Sequence, residues 1–181
     1  STQSRFLMDK FERNKVETIL LKEPTNGKYG QKLWEMLSGN IEATTEEILE
    51  LFVLDRKEHV NQKIKPALDD GKIVLMDRYY YSTMAYQAAA GIDVNRIRRD
   101  NEFAPKPDIV LIFDLPADLA MKRVRSHSVA DVFEKEEHLE KVRKAYLNLE
   151  DDSLVRIIDA TRTPEVIFDE VWRLVSEVRN G

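Results

Sequence analysis

Four short runs rich in valine, isoleucine and leucine alternate with helical segments, and this alternation constrains the fold more than any other feature. The runs are Val16–Leu21, Lys72–Met76, Asp108–Phe113 and Leu154–Ile158. Continuous apolar runs of this length are typical of buried parallel strands, because helices cover both faces of such a sheet. The sequence therefore predicts an α/β fold with three layers and a doubly wound parallel sheet.

Start and stop signals define the helical segments between the runs. The longest extends from about Thr44 to Asp70, with Thr44 or Thr45 as the expected N-cap and Gly71 as a stop signal. We expect a kink or a break at Pro66, because proline removes a backbone donor and clashes with the preceding turn. Further helices are expected at residue 1, after Pro116, from about Lys135 to Glu150 and from Thr163-Pro164 onward. No linker interrupts the pattern, so residues 1–181 are predicted to form a single domain.

The overall composition excludes several classes of protein. The net charge of −5 argues against a general nucleic-acid binder, and no apolar stretch approaches the roughly 20 residues that a membrane span needs. The absence of cysteine excludes thiolate chemistry and agrees with a cytoplasmic location. The three histidines have no metal-ligand spacing, so any magnesium is expected to arrive with a nucleotide. We therefore expect small-molecule partners, with any phosphate held by local arginines.

Polar residues follow the second apolar run directly, at the edge where open α/β sheets bind ligands. They are Asp77, Arg78 and Tyr79. Upstream, Phe52 and Arg56 lie four residues apart, so they share one face of a helix. An aromatic face suits a planar base, and a guanidinium suits a phosphate. Core packing explains Phe52 alone and solvation explains Arg56 alone, but their combination with Arg78 favours a nucleotide site.

The other candidates also have structural alternatives. Asp77 either pairs with Arg78 and caps a loop, or contacts magnesium through water. Gln can donate and accept hydrogen bonds at once, as recognition of a base edge requires. We predict that four side chains contact the base or the sugar, with packing or an ordinary helix position as the alternative role of each: Tyr79, Ser82, Tyr86 and Gln87.

Two further segments could flank such a site. Glu23 ends the first run and begins a turn, which turn chemistry alone explains; alternatively, Glu23 lines an acceptor cleft. Arg123 and Arg125 precede the irregular stretch 126–132, and surface solvation is their default role. The sharper hypothesis is a short lid at about residues 123–134 whose arginines reach a transferring phosphoryl group.

The order and spacing of these segments resemble the thymidylate kinase family, which belongs to the P-loop nucleoside monophosphate kinases. The resemblance covers essentially the whole chain. The segments that carry it are Lys22-Glu23-Pro24, residues 51–56 with His59, residues 64–68, Asp77-Arg78-Tyr79 with Ser82, Ala85, Tyr86 and Gln87, Lys106-Pro107-Asp108, Phe133-Glu134, and Val142-Arg143 with Tyr146.

This resemblance implies an enzyme that converts dTMP to dTDP with ATP and magnesium, usually as a homodimer. On the acceptor side it implies stacking of thymine on Phe52 and binding of the dTMP phosphate by Arg56 and Arg78. The residues expected to read the base, select the sugar or line the acceptor site are Gln87, Ser82, Tyr79 and Glu23. On the donor side it implies magnesium near Asp77 and Ser1, a hydroxyl pair at Ser1 and Thr2, and an adenine-side loop that contains Arg162.

Two departures from the family pattern suggest alternatives. The first strand and the glycine-rich phosphate loop are expected to be absent from this chain, since Ser1 and Thr2 stand where that loop would end. The stretch 126–132 contains no arginine, so the catalytic arginine of the lid is left open between Arg123 and Arg125. The alternatives are a nucleotide-binding protein without transferase activity and a kinase for another deoxynucleotide acceptor.

Overall fold

Helices and parallel strands alternate along the chain in the computed structural model, which describes residues 2–120 and 136–180. The strands are β1 (Thr18–Lys22), β2 (Ile73–Asp77), β3 (Val110–Asp114) and β4 (Val155–Asp159). The helices are α1 (Thr2–Arg13), α2 (Lys28–Leu37), α3 (Thr45–His59), α4 (Lys65–Asp69), α5 (Tyr80–Ala89), α6 (Val94–Asp100), α7 (Glu136–Leu147) and α8 (Pro164–Asn180). A further helix begins at residue 117. All four predicted strands are confirmed, with bounds one or two residues closer to the C-terminus.

The strands pair in parallel, as the apolar runs predict. β1 pairs with β2, with Lys22 opposite Asp77, and β3 pairs with β4, with Asp114 opposite Asp159. The described residues thus form two two-stranded sheets. Because the strands of each pair run in the same direction, their charged last residues collect at one edge of each sheet.

A cavity of about 1210 Å³ is lined by residues of both β2 and β3. The carboxyl end of β2 contributes Asp77 to this lining, followed by Arg78 and Tyr79. Apolar side chains of α1 and α8 that also line the cavity are Leu7, Phe11, Ile167 and Val171. The polar edge of β2 and the facing strand β3 therefore open into one cavity.

The long helical segment begins at the predicted cap and is interrupted near the predicted proline. The Thr44 hydroxyl accepts a hydrogen bond from the Glu47 backbone N–H, and the Glu47 carboxylate accepts one from the Thr44 N–H. A π-helical turn, Val60–Ile64, separates α3 from α4, with Pro66 in the first turn of α4. Proline cannot complete the regular hydrogen-bond ladder, and single π-helical turns are a common adjustment inside helices. The break predicted at Pro66 is thus realised a few residues upstream.

Two hydrophobic clusters fix the helices around the strands. The first joins α3, α5 and α6 through the buried side chains of Val53, Met84 and Ile97; full burial of such side chains stabilises a fold by about 1.5–3 kcal/mol each. The second joins α1 to α8, where the rings of Phe11 and Trp172 meet edge to face at 5.4 Å. None of the described helices is long and apolar enough to cross a membrane.

Candidate functional site

The turn between β2 and α5 holds Arg78 in a left-handed backbone conformation. Its φ is 69°, a region that non-glycine residues adopt at a cost of about 1–3 kcal/mol and that recurs at functional sites. Tyr79 follows in an extended conformation, and α5 begins at Tyr80. Arg78 is exposed and lines the cavity beside Asp77. The turn therefore presents an accessible cation at the carboxyl end of β2.

Aromatic side chains of α5 and α7 surround Arg78. Its guanidinium carbon lies 5.4 Å from the centre of the Tyr86 ring, and that ring meets the Tyr146 ring edge to face at 6.3 Å. The Tyr146 hydroxyl donates a hydrogen bond of 2.8 Å to the Ser82 hydroxyl. Burial raises the pKa of Tyr146, so this hydroxyl keeps its proton at neutral pH. Ser82 and Tyr86 thus lie at the same part of the cavity as Arg78.

Arg56 lies in the protein interior within a network of hydrogen bonds. Its side chain is 1% exposed. Its Nε donates to Glu23 Oε2 at 2.8 Å, its Nη2 donates to Thr83 Oγ at 3.1 Å, and its Nη1 donates to Asn101 Oδ1 at 2.5 Å. An arginine buried in this way is tolerated because a carboxylate balances its charge and its donors are satisfied.

Glu23 joins Arg56 to His59. Its Oε2 lies 2.7 Å from Arg56 Nη2, and its Oε1 lies 3.1 Å from His59 Nδ1. The turn after Glu23 is tied to α3, since Asp55 accepts hydrogen bonds from the Thr25 N–H at 2.9 Å and from the Thr25 hydroxyl at 2.5 Å. These contacts fix the end of β1 against the α3 face that carries Arg56.

Two buried polar atoms at this site have no hydrogen-bond partner among the described residues. They are Tyr79 Oη and Gln87 Oε1. The Tyr79 ring lies 5.4 Å from the Arg56 guanidinium carbon, and burial together with the Glu23 charge raises the pKa of Tyr79, which keeps its hydroxyl a donor. Buried polar groups are rarely left unpaired, so these atoms are candidates for contact with a ligand.

Phe52 lies one turn before Arg56 on α3 and is half-buried. Its ring packs against a small cluster that α2 and α3 form, so part of its surface serves packing, as the structural alternative predicted. The rest of the Phe52 side chain remains accessible to a ligand, and Phe52 belongs to the same helix as Arg56.

The chain was compared with known proteins. A protein-family model described as thymidylate kinase matches residues 1–171. A thymidylate kinase of Desulfotalea psychrophila is 44% identical over 151 residues, which cover 82% of this chain and 75% of that protein. A probable thymidylate kinase of Archaeoglobus fulgidus is 37% identical, covering 99% of this chain and 90% of the relative; one of Thermococcus kodakarensis is 40% identical, covering 97% and 90%. The chain belongs to the thymidylate kinase family.

The residues that the resemblance places on the donor side are described only in part. Thr2 and Arg162 line the same cavity as Asp77 and Arg78. Arg162 donates to the Asp159 carbonyl oxygen and to the Glu170 carboxylate. No group of three or more histidine, cysteine or acidic side chains is placed to hold a metal ion within residues 2–120 and 136–180. The described residues do not include Ser1, Arg123, Arg125 or the lid predicted at about 123–134.

The structure adds contacts that sequence reasoning did not predict. Thr83 and Asn101 contact the Arg56 guanidinium directly, and His59, one of the three histidines without metal-ligand spacing, contacts Glu23. At the end of β3, Asp114 accepts two hydrogen bonds from Arg143, at 2.7 and 3.0 Å. The sequence could have indicated Asp114, because this residue stands at the end of a predicted strand. Asn101 offered none, because a single amide outside any pattern is indistinguishable from an ordinary helix end.

Proposed function

We propose that this chain transfers the terminal phosphoryl group of ATP to dTMP, giving dTDP and ADP. Its membership of the thymidylate kinase family supports this reaction. The single observation that carries the proposal is the position of Arg78, which is held on a left-handed turn where β2 ends and lines one cavity with Asp77 and Thr2.

The acceptor phosphate is held mainly by Arg78. A phosphate needs a cation that it can reach, and Arg78 is exposed and lines the cavity. The Arg56 charge is balanced by Glu23 in the interior, so Arg56 contributes a directed N–H to the acceptor more than net charge. Glu23 belongs to the acceptor site because it forms this ion pair with Arg56.

The nucleoside part of dTMP is bound by side chains of α3 and α5. Phe52 stacks on thymine, and Tyr86 packs beside the nucleotide next to Arg78. Gln87 and Ser82 hydrogen-bond the base, and Tyr79 contacts the deoxyribose. The unpaired Tyr79 Oη and Gln87 Oε1 support this assignment, because a bound nucleotide would supply the partners that buried polar atoms require.

Phosphoryl transfer requires no side-chain nucleophile. A dTMP phosphate oxygen attacks the γ-phosphorus of ATP in line, the new P–O bond forms, and the bond to the β-phosphate oxygen breaks, releasing ADP. The protein contributes alignment of the two nucleotides and positive charge on the transferring group. Arg78 acts on the acceptor side, and Arg123 or Arg125 supplies the lid cation.

Asp77 fits a role next to magnesium. Its carboxylate lies at the end of β2 and lines the cavity, and carboxylate oxygens together with phosphates and water are the ligands that Mg²⁺ prefers. Asp77 and the Ser1 hydroxyl would hold the ion, whose positive charge offsets the phosphate charges when it is bound.

The sheet is proposed to be a single doubly wound sheet of the P-loop kinase type. The cavity that residues of β2 and β3 both line supports this arrangement, because the two strands face one shared space. Hydrogen exchange provides a test: amides of β2 and β3 that face the cavity exchange as slowly as those in the β1–β2 ladder if the four strands belong to one sheet, and rapidly if the two pairs stay separate.

A homodimer in the cytoplasm is also proposed. Leu54 of α3 and Leu68 of α4 are 39% and 44% exposed, and a second copy of the chain that covered these two helices would bury both side chains. Light scattering at micromolar concentration would give about twice the 21.1 kDa chain mass; a monomer mass there would overturn this part.

The reaction itself is tested by coupled ADP release with dTMP as the acceptor. Arg78→Ala is expected to lower kcat/KM for dTMP on the order of a hundredfold or more. Arg156→Ala is the matched control, since Arg156 binds backbone carbonyls of its own segment, and it should keep wild-type activity. Binding of dTMP without ADP release would instead indicate a binding protein, and faster turnover of another deoxynucleotide would indicate a different acceptor.

A further inference from the structure

Asn101 is a neutral side chain in direct contact with the buried arginine of the acceptor site. It lies at the C-terminal end of α6 and is 3% exposed. Its Oδ1 accepts from Arg56 Nη1 at 2.5 Å, and its Nδ2 donates to the Ile97 carbonyl oxygen at 2.7 Å. The residue therefore links the end of one helix to the guanidinium on another, 45 positions away in the sequence.

The chemistry of the two partners fixes the orientation of this amide. A guanidinium only donates hydrogen bonds, and a backbone carbonyl only accepts them. The Asn101 oxygen must therefore face Arg56 and its nitrogen must face Ile97. Aspartate would oppose its carboxylate to the Ile97 carbonyl, and leucine would leave the Nη1 hydrogen without an acceptor.

An inventory of the Arg56 donors shows what Asn101 adds. A guanidinium has five N–H groups in one plane. Nε donates to Glu23, Nη2 contacts Glu23 and Thr83, and Nη1 donates one hydrogen to Asn101. The described contacts thus leave one Nη1 hydrogen, adjacent to the one that Asn101 binds. Glu23 already balances the positive charge of Arg56. Asn101 therefore adds no charge compensation, and its contribution is to fix the direction in which the remaining Nη1 hydrogen of Arg56 points.

We propose that Asn101 is a positioning residue for the acceptor nucleotide: it holds the Arg56 guanidinium in the orientation in which its remaining N–H meets dTMP. The inference rests on the proposed dTMP kinase reaction. Asn101 itself does not touch the substrate, and it acts through Arg56.

The first test compares two variants that remove opposite halves of the amide. Asn101→Leu lacks the acceptor for Arg56, and we expect KM and the calorimetric Kd for dTMP to rise about ten- to hundredfold, as loss of a hydrogen bond to a charged group predicts. The KM for ATP should change by less than about twofold. Asn101→Asp keeps an oxygen that faces Arg56, so its dTMP affinity should lie within about threefold of the wild-type value. Its Tm should be lower than that of the wild type, because a carboxylate oxygen would face the Ile97 carbonyl oxygen.

The second test asks whether Asn101 acts through Arg56. Lysine lacks the planar guanidinium that Asn101 is proposed to orient. In an Arg56→Lys background, adding Asn101→Leu should therefore raise KM for dTMP further by less than about twofold. A merely structural role predicts the same added loss in both backgrounds, or a loss of active protein at unchanged KM, and either result would overturn the proposal. If Asn101→Leu does not fold, Thr83 offers a second test, because its hydroxyl is another neutral partner of Arg56. Thr83→Val removes this hydroxyl and Thr83→Ser retains it. Equal dTMP affinity in these two variants would also contradict the proposal that neutral partners position Arg56.

The wild-type chain separates this inference from the function on which it rests. If it neither binds dTMP nor releases ADP with it, the proposed function is wrong, and the positioning role falls with it. If the wild type is active and Asn101→Leu has unchanged KM and Kd for dTMP, only the positioning role of Asn101 is wrong.

Discussion

The Glu23 carboxylate and the Arg56 guanidinium form an ion pair in the protein interior. Glu23 Oε2 lies 2.8 Å from Arg56 Nε and 2.7 Å from Nη2, and the two side chains are 2% and 1% exposed. One partner ends β1 and the other lies on α3, so the pair joins a strand edge to the helix that carries Phe52. Two buried charges that neutralise each other impose a geometry that neither would adopt alone.

Glu23→Gln should be strongly destabilising, because it leaves the Arg56 charge buried without compensation. Breaking a buried pair from one side costs about 3–5 kcal/mol, which for a domain of this size lowers Tm by roughly 6–20 °C. Thermal and urea unfolding measure this loss. The variant should also bind dTMP more weakly, since the guanidinium loses its main anchor.

An exposed ion pair provides the matched control for that variant. Glu46 and Arg96 meet at 2.7 Å, with side chains 53% and 42% exposed. Because solvent screens such pairs, Glu46→Gln should cost less than about 1 kcal/mol. Equal losses for the two glutamine variants would show that burial does not control the strength of the Glu23–Arg56 interaction.

Arg78 combines backbone strain with a proposed role at the acceptor phosphate, and two variants separate these contributions. Arg78→Ala and Arg78→Gly both lack the guanidinium, so both should lose dTMP kinase activity to a similar extent. Glycine adopts a φ of 69° without the penalty of a Cβ atom, so the glycine variant should be about 1 kcal/mol more stable than the alanine variant. Chemical denaturation of the two proteins, compared at equal m-value, measures that difference. Equal stability would mean that the turn relaxes when Arg78 is replaced.

The positions of the four strands and the polar edge of β2 could be predicted from the sequence, because each depends on a local pattern. Four apolar runs indicated the strands, and the residues after the second run indicated a ligand edge. The Arg56 contacts could not be predicted, because its partners Glu23 and Asn101 lie 33 and 45 positions away and no periodicity relates them. The sequence placed a base-stacking role on Phe52, but it could not indicate that the same ring packs against the cluster of α2 and α3.

The N-terminus of α3 should respond to pH through Glu47. Hydrogen bonds from the Thr44 backbone and hydroxyl lower the pKa of Glu47 below its ordinary value of 4.5. A lowered folded-state pKa contributes stability that is present above the unfolded value and is lost as pH falls through the folded value. Wild type should therefore be more stable than Glu47→Gln at pH 7, and the difference should shrink below about pH 4.5.

Thr44→Ala is the control for this pH dependence, since it removes the hydroxyl that donates to the Glu47 carboxylate. In the Thr44→Ala background, the stability difference caused by Glu47→Gln should vary less between pH 7 and pH 3. If the Glu47→Gln difference does not change over that range, the charge of Glu47 does not contribute to the capping box.

Gly30 permits the close approach of α2 to the turn that follows Glu23. A Cβ atom at this position would lie 2.0 Å from the Thr25 carbonyl oxygen, which is backbone and cannot rotate away. Gly30→Ala should therefore push the turn away from α2 and cost roughly 1–3 kcal/mol or more. Because Thr25 is bonded to Asp55, the displacement should reach the Glu23–Arg56 pair and raise KM for dTMP. A Cβ atom at Gly27 would meet only side-chain atoms within 4 Å, the Thr25 hydroxyl at 3.1 Å and the Glu58 carboxylate at 3.5 Å, so KM of Gly27→Ala should change little. A wild-type Tm and KM in Gly30→Ala would show that the turn can move without disturbing the proposed acceptor site.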